Sequence, residues 1–207
     1  MQRKKIITIA AVLAIAGSVL SIYFTQTDRN KIDFSGYGSA GTVAAEETIK
    51  LIGEKGGIAL YTVDSEETIP ALHAQVESFK KTLSGKNIQI VAIEKVKAGT
   101  MSVQLEPSQI ARTLQRHNGL NAIVSFVRLS SLSDEDSAAL KQHATKLVVI
   151  SSYTPFYKKL LDAQLLHLAV VPRIGAAVEN APEPKTERDQ FDQTYELLTP
   201  ENSADLP

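Results

Sequence analysis

Five short runs of apolar, β-prone residues recur along this chain, and stretches with helical periodicity separate most of them. The clearest unit spans 56–83, GGIALYTVDSEETIPALHAQVESFKKTL. Its run at 58–63 is continuously apolar or β-prone, and it breaks at Asp64-Ser65-Glu66-Glu67. Ile69, Leu72, Val76, Phe79 and Leu83 then follow at spacings of three and four, the period of an amphipathic helix. The other runs are NIQIVAI at 87–93, NAIVSFV at 121–127, LVVIS at 147–151 and HLAVV at 167–171. Strands that are apolar without alternation must be covered on both faces, which requires a parallel sheet between two helix layers. Right-handed crossovers make that sheet doubly wound, with expected strand order 2-1-3-4-5.

The intervening residues carry matching helix signals. Pro107 suits the first turn of a helix, where its missing N–H costs nothing, and that helix runs to His117. Ser133 with Asp134-Glu135-Asp136 forms a capping signature for a helix reaching about His143. Pro155 opens another that continues through Leu161. Helical pattern also covers 40–54, where Val43, Ala44, Leu51 and Ile52 are available for burial.

At 207 residues the chain has room for one well-buried domain and tails. A formal net charge of -1 excludes nucleic acid as the main partner, because phosphate binding needs clustered Lys and Arg. The absence of cysteine removes disulfides, thiolate catalysis and sulfur-based zinc sites.

Arg3-Lys4-Lys5 precedes an uncharged apolar run at 6–24. That length lies within the roughly 17–25 residues that span a bilayer as a helix. A signal peptide has a shorter core and a small-x-small cleavage site, and Val19-Leu20-Ser21 is a mediocre one. Tyr23 and Phe24 stand where an aromatic belt belongs. The run therefore reads as an uncleaved membrane anchor, with signal peptide as the alternative. Its basic flank stays in the cytoplasm, so the rest faces the periplasm or cell exterior. The expected organisation is an anchor at 1–24, a Gly-containing linker at 25–39, an α/β domain at 40–178 and an acidic, Pro-containing tail at 179–207. Within that solvated tail, Tyr195-Glu196-Leu197-Leu198 can return one edge strand.

From Gly36 onward the chain resembles the C-terminal lobe of the ribose-type periplasmic sugar-binding proteins, whose fold the LacI-family regulators share. The segments that carry the likeness are GYGSAGTVAAEETIKLIGEKGGIALYT, QVESFKKTLSGKNIQIVAI, LNAIVSFV, KLVVISSYTP and the closing LLTPENSAD. The resemblance implies a single periplasmic-binding-protein-like lobe, with the N-terminal lobe missing and the anchor in its place. It also implies four polar sugar contacts, and all four positions differ. Gln75 replaces an arginine, Val127 an asparagine (with Arg128 for the next aspartate), Ser152 an aspartate and Pro172 a glutamine.

In open α/β sheets ligands bind beyond the carboxyl ends of the strands. Those ends carry Thr62 and Asp64, then Arg128, then Ser151 and Ser152, then Arg173. The two arginines and two serines suit an anion or a partner's carboxylates. His73, His117, His143 and His167 are scattered without metal spacing and read as structural or surface residues. Glu66-Glu67 and Asp134-Glu135-Asp136 read as helix-end acids. Gly36-x-Gly38-x-x-Gly41 lacks the preceding strand that a phosphate loop needs. No cofactor, metal or enzymatic activity is expected. The reading is a membrane-anchored extracytoplasmic module that binds another protein or a small solute. Its alternatives are an assembly subunit of a membrane complex and a solute-binding component of a transport or sensing system.

Overall fold

The computed structural model describes residues 34–97, 103–173 and 182–206. The proposed anchor at 6–24 and most of the 25–39 linker lie outside the described residues, as do 174–181. Among the described residues no helix is long and apolar enough to cross a membrane.

In chain order the elements are α1 (Ser35–Ile52), β1 (Lys55–Val63), α2 (Pro70–Leu83), β2 (Asn87–Val96) and β3 (Gln104–Leu105). They continue with α3 (Pro107–Arg116), β4 (Leu120–Ser125), β5 (Arg128–Leu129), α4 (Asp134–Lys141) and β6 (Lys146–Ile150). The last are α5 (Phe156–Asp162), β7 (Leu168–Pro172), α6 (Glu187–Thr194) and β8 (Tyr195–Leu198), with 3-10 turns at Glu66–Thr68 and Ser203–Asp205. The main sheet has the order β2-β1-β4-β6-β7-β8. Its first five strands are parallel and follow the expected 2-1-3-4-5 pattern, and β8 adds an antiparallel edge beside β7. A separate two-stranded sheet, β3 with β5, has no counterpart in the sequence reading.

Alternation along the strands divides the core in two. Ala59, Tyr61, Leu147, Val149 and Val171 join the helix residues Ile110, Leu114, Tyr157 and Leu161 on one face. Ile58, Leu60, Val148, Ile150 and Val170 meet Ala40, Val43, Val76, Phe79 and Phe191 on the other. Both faces of β1, β4, β6 and β7 are thus dry, as continuous apolar runs demand, whereas edge strand β2 leaves Val91 and Ile93 exposed.

Helix α1 begins at Ser35, five residues before the expected start, so Gly36 and Gly38 are helical rather than linker residues and share the helix with Gly41. Their small size explains this. A Cβ on Gly41 would stand 2.0 Å from the Gln75 carbonyl oxygen of α2, so a bare Cα permits the two helices to touch. Ser39, Ala40, Ala44 and Ala45 extend that low-profile stripe and are buried. The favourable contact outweighs the helix penalty of glycine.

The tail expected to be solvated is ordered where it is described. Thr186 caps α6 by accepting from the Asp189 N–H at 3.0 Å. Buried Phe191 stacks on buried Tyr195 at 5.8 Å, with the Arg188 guanidinium 5.4 Å from the Phe191 ring. The edge strand forms at Tyr195–Leu198, where the sequence placed it. Glu66 and Glu67 do not cap α2, because that helix starts at Pro70 and the acids occupy a separate 3-10 turn.

Replacing Gly41 by Val should lower the unfolding free energy by about 1–3 kcal/mol through overpacking. Gly36→Ala, whose new Cβ would meet only Thr194 Oγ1 at 4.0 Å, should stay within about 0.5 kcal/mol of the parent. Urea denaturation of both variants separates helix contact from glycine propensity.

Candidate ligand-binding rim

The carboxyl ends of β1, β4, β6 and β7 lie along one edge of the main sheet because those strands run parallel. Two clusters of polar side chains form there. In the first, Ser151 Oγ and the Tyr157 hydroxyl share a 2.6 Å hydrogen bond. Tyr157 is fully buried, and burial raises its hydroxyl pKa against the opposing influences of Ser151, the Leu129 backbone and the Arg128 charge. One buried hydroxyl thus connects the end of β6 to Arg128 and Leu129 of β5, so Arg128 and Ser151 belong to one neighbourhood. Ser125 shapes the approach to β5, donating its hydroxyl to the Val127 carbonyl at 2.6 Å and accepting from the Val127 N–H at 3.1 Å.

The second cluster lies toward β8. The Gln75 side chain hydrogen-bonds the Tyr195 hydroxyl, whose pKa burial pushes up to about 12. The Arg173 N–H donates to Thr194 O at 2.9 Å, and its guanidinium reaches Tyr195 O at 3.5 Å. Arg173 therefore turns toward α6 and β8, and the structure does not gather it with Arg128 into a single arginine pair.

The remaining expected positions separate clearly. Val127 is buried in the core, which removes its side chain from the rim. Ser152 and Pro172 are exposed at the ends of β6 and β7. Asp64 is exposed, and its N–H donates to Val96 O at 3.0 Å, extending the β1–β2 pairing. Thr62 is buried, and its hydroxyl has no hydrogen-bond partner among the described residues.

Sequence reasoning missed Tyr157 and Tyr195, since an aromatic in a helix or edge strand reads as core until its hydroxyl partner is seen. It also missed the pairing of buried Glu66 with His73, where Nδ1 and Oε1 are 2.7 Å apart. Glu66, His73 and Glu77 each offer one ligand atom within 4.8 Å of the others. Glu77 already pairs with Lys80 at 2.9 Å, so the group is a small polar network on α2 and the turn before it. His117 occupies the C-cap of α3. His167 accepts from the Leu147 N–H at 3.3 Å through Nδ1, and burial and then the Lys146 charge lower its pKa.

No protein-family model matches the sequence, and no curated protein matches it. Solved structures do match. AraP, an arabinose-binding protein from Geobacillus stearothermophilus, superposes with a TM-score of 0.57 at 15% identity, covering 83% of this chain and 63% of its own. A solute-binding protein from Burkholderia graminis in complex with D-arabinose gives 0.57 at 16%, covering 80% and 60%. The fold is that of one lobe of a periplasmic sugar-binding protein. A XylFII–LytSN complex also matches, with 0.55 at 18% identity over 80% of this chain and 60% of that one. The chain thus spans about three-fifths of the length of these neighbours. At such identities the likeness is one of fold, and it bears out the lobe expected from the sequence segments.

Tyr157→Phe should cost about 1 kcal/mol, the net worth of one hydrogen bond, in denaturant unfolding. The lowered His167 pKa sets a pH dependence of known sign. The unfolded histidine binds more protons below its ordinary value of 6.5, so stability is complete above that pH and falls as the solution is acidified through the folded value. Unfolding midpoints at pH 7.5 and 5.5 should differ accordingly, and His167→Gln should reduce the difference.

Proposed function

We propose that this chain is a membrane-tethered extracytoplasmic binding module that docks another protein on the carboxyl-end rim of its sheet. The observation that carries this reading is the Arg128–Tyr157–Ser151 cluster. A buried hydroxyl there holds a guanidinium-bearing strand and a serine at the edge where open α/β sheets take ligands. A guanidinium suits a carboxylate, and exposed Ser152 after β6 adds a hydroxyl to the same edge of the sheet. The fold neighbours are binding proteins, which favours binding over catalysis. One of them, XylFII, is seen in a complex with LytSN. The tether rests on the uncharged run at 6–24 behind Arg3-Lys4-Lys5, placing one pass in the cytoplasmic membrane with the lobe outside.

A mild-detergent pull-down of the full-length chain from native membranes, read by mass spectrometry, tests the reading. A stoichiometric partner is expected, and Arg128→Glu should weaken its retention about tenfold or more, equivalent to at least 1.4 kcal/mol. A partner that ignores Arg128→Glu makes the chain an assembly subunit held by another surface. A protein that comes down alone supports the second reading, a solute-binding component of a transport or sensing system. That reading is favoured by the arabinose-binding neighbours, and calorimetry with arabinose then decides it.

A further inference from the structure

At the amino ends of β6 and β7, across the sheet from the rim, a cavity of about 430 Å³ opens between α3, α4 and α5. Its apolar floor comes from Ile110, Leu114, Ile123, Leu147 and Leu165. Its polar wall is Lys141, His143, Lys146, Gln164 and His167, and no Asp or Glu lines it. Neither lysine forms an ion pair among the described residues. Two lysines thus border an apolar floor that no carboxylate lines, and the nearest acids, Glu47 and Glu201, line a neighbouring groove that shares Lys146, Gln164 and His167.

Two further details concern the same wall. Neutral His167 accepts the Leu147 N–H on Nδ1, so its proton resides on Nε2 as a donor. Gln164 closes α5 with a φ of 55°, the left-handed geometry in which glycine is the usual residue. Leu165 and Leu166 donate to Leu160 O at 2.8 and 3.1 Å around that turn. A glycine would adopt this conformation without strain, whereas the residue bordering the cavity here is glutamine. Strain kept at a cavity wall is an outlier that points toward function.

We propose that this cavity binds a small organic acid with an apolar body, its carboxylate held by Lys141 and Lys146 and its body on the Ile110–Leu147 floor. The volume falls within the roughly 300–1,000 Å³ typical of small-molecule sites, and the pattern of apolar lining with few polar groups is theirs. The site is separate from the rim and independent of the docking reading.

The test uses the full-length chain in detergent with methyl-labelled isoleucine and leucine. The probe is 4-ethylbenzoate, with 4-ethylbenzylamine as the charge-reversed control and acetate as the control without a body. Saturable shifts confined to the methyls of Ile110, Leu114, Ile123, Leu147 and Leu165 are expected for 4-ethylbenzoate alone. The double variant Lys141→Gln, Lys146→Gln should weaken binding about tenfold. Gln164→Gly should raise the unfolding midpoint while weakening binding. Equal shifts from the amine, shifts spread over surface methyls, or unchanged affinity in both variants would overturn the proposal.

Discussion

The structure depends on β1 being buried on both faces and paired on both sides. Its residues from Ile58 to Val63 are all buried, β2 and β4 flank it in parallel, and each face requires its own helix layer. A strand in that position leaves no freedom for a one-layer fold. The helices that cover it must come close, and the Gly41–Gln75 contact sets the spacing of α1 against α2. The strand ends that result define two opposite edges of the molecule, with the rim on one and the cationic cavity on the other. The site geometry is therefore a by-product of satisfying the central strand.

The rim divides because its arginines have different neighbours. Arg128 follows a tight Ser125–Val127 turn and lies within electrostatic reach of buried Tyr157, whereas Arg173 meets the backbone of an antiparallel strand. An antiparallel edge brings a carbonyl-bearing chain end back to the rim, and a guanidinium beside it finds acceptors at once. The two residues look equivalent in sequence, yet the connection that follows each one gives them different surroundings.

Much of the fold was legible in the sequence because apolar runs and helical periods are local signals. The five parallel strands, their order, the Pro107 and Ser133 helix starts and the 195–198 edge strand all follow from neighbours in the chain. The errors arose where distant contacts decided the outcome. Glycines at 36 and 38 look like a linker until α2 is placed against their helix, and α6 is polar until Phe191 meets Tyr195. The site was less legible for the same reason. Asp64, Ser151, Ser152 and Arg173 could be assigned to strand ends by counting. The burial of Val127, the Gln75–Tyr195 bond and the hydroxyl link through Tyr157 are properties of packed layers.

The antiparallel closure by β8 also has a consequence for the order of assembly. β7 ends at Pro172, while the strand that pairs with its outer side runs from Tyr195 to Leu198. During synthesis the outer backbone groups of β7 have no partner until Tyr195–Leu198 has left the ribosome and docked. A chain whose β8 has not yet docked displays a bare, apolar strand edge, a feature that seeds association. Docking of β8 then covers the edge in one step, together with the Phe191–Tyr195 stack, so this strand acts as the latch of the sheet.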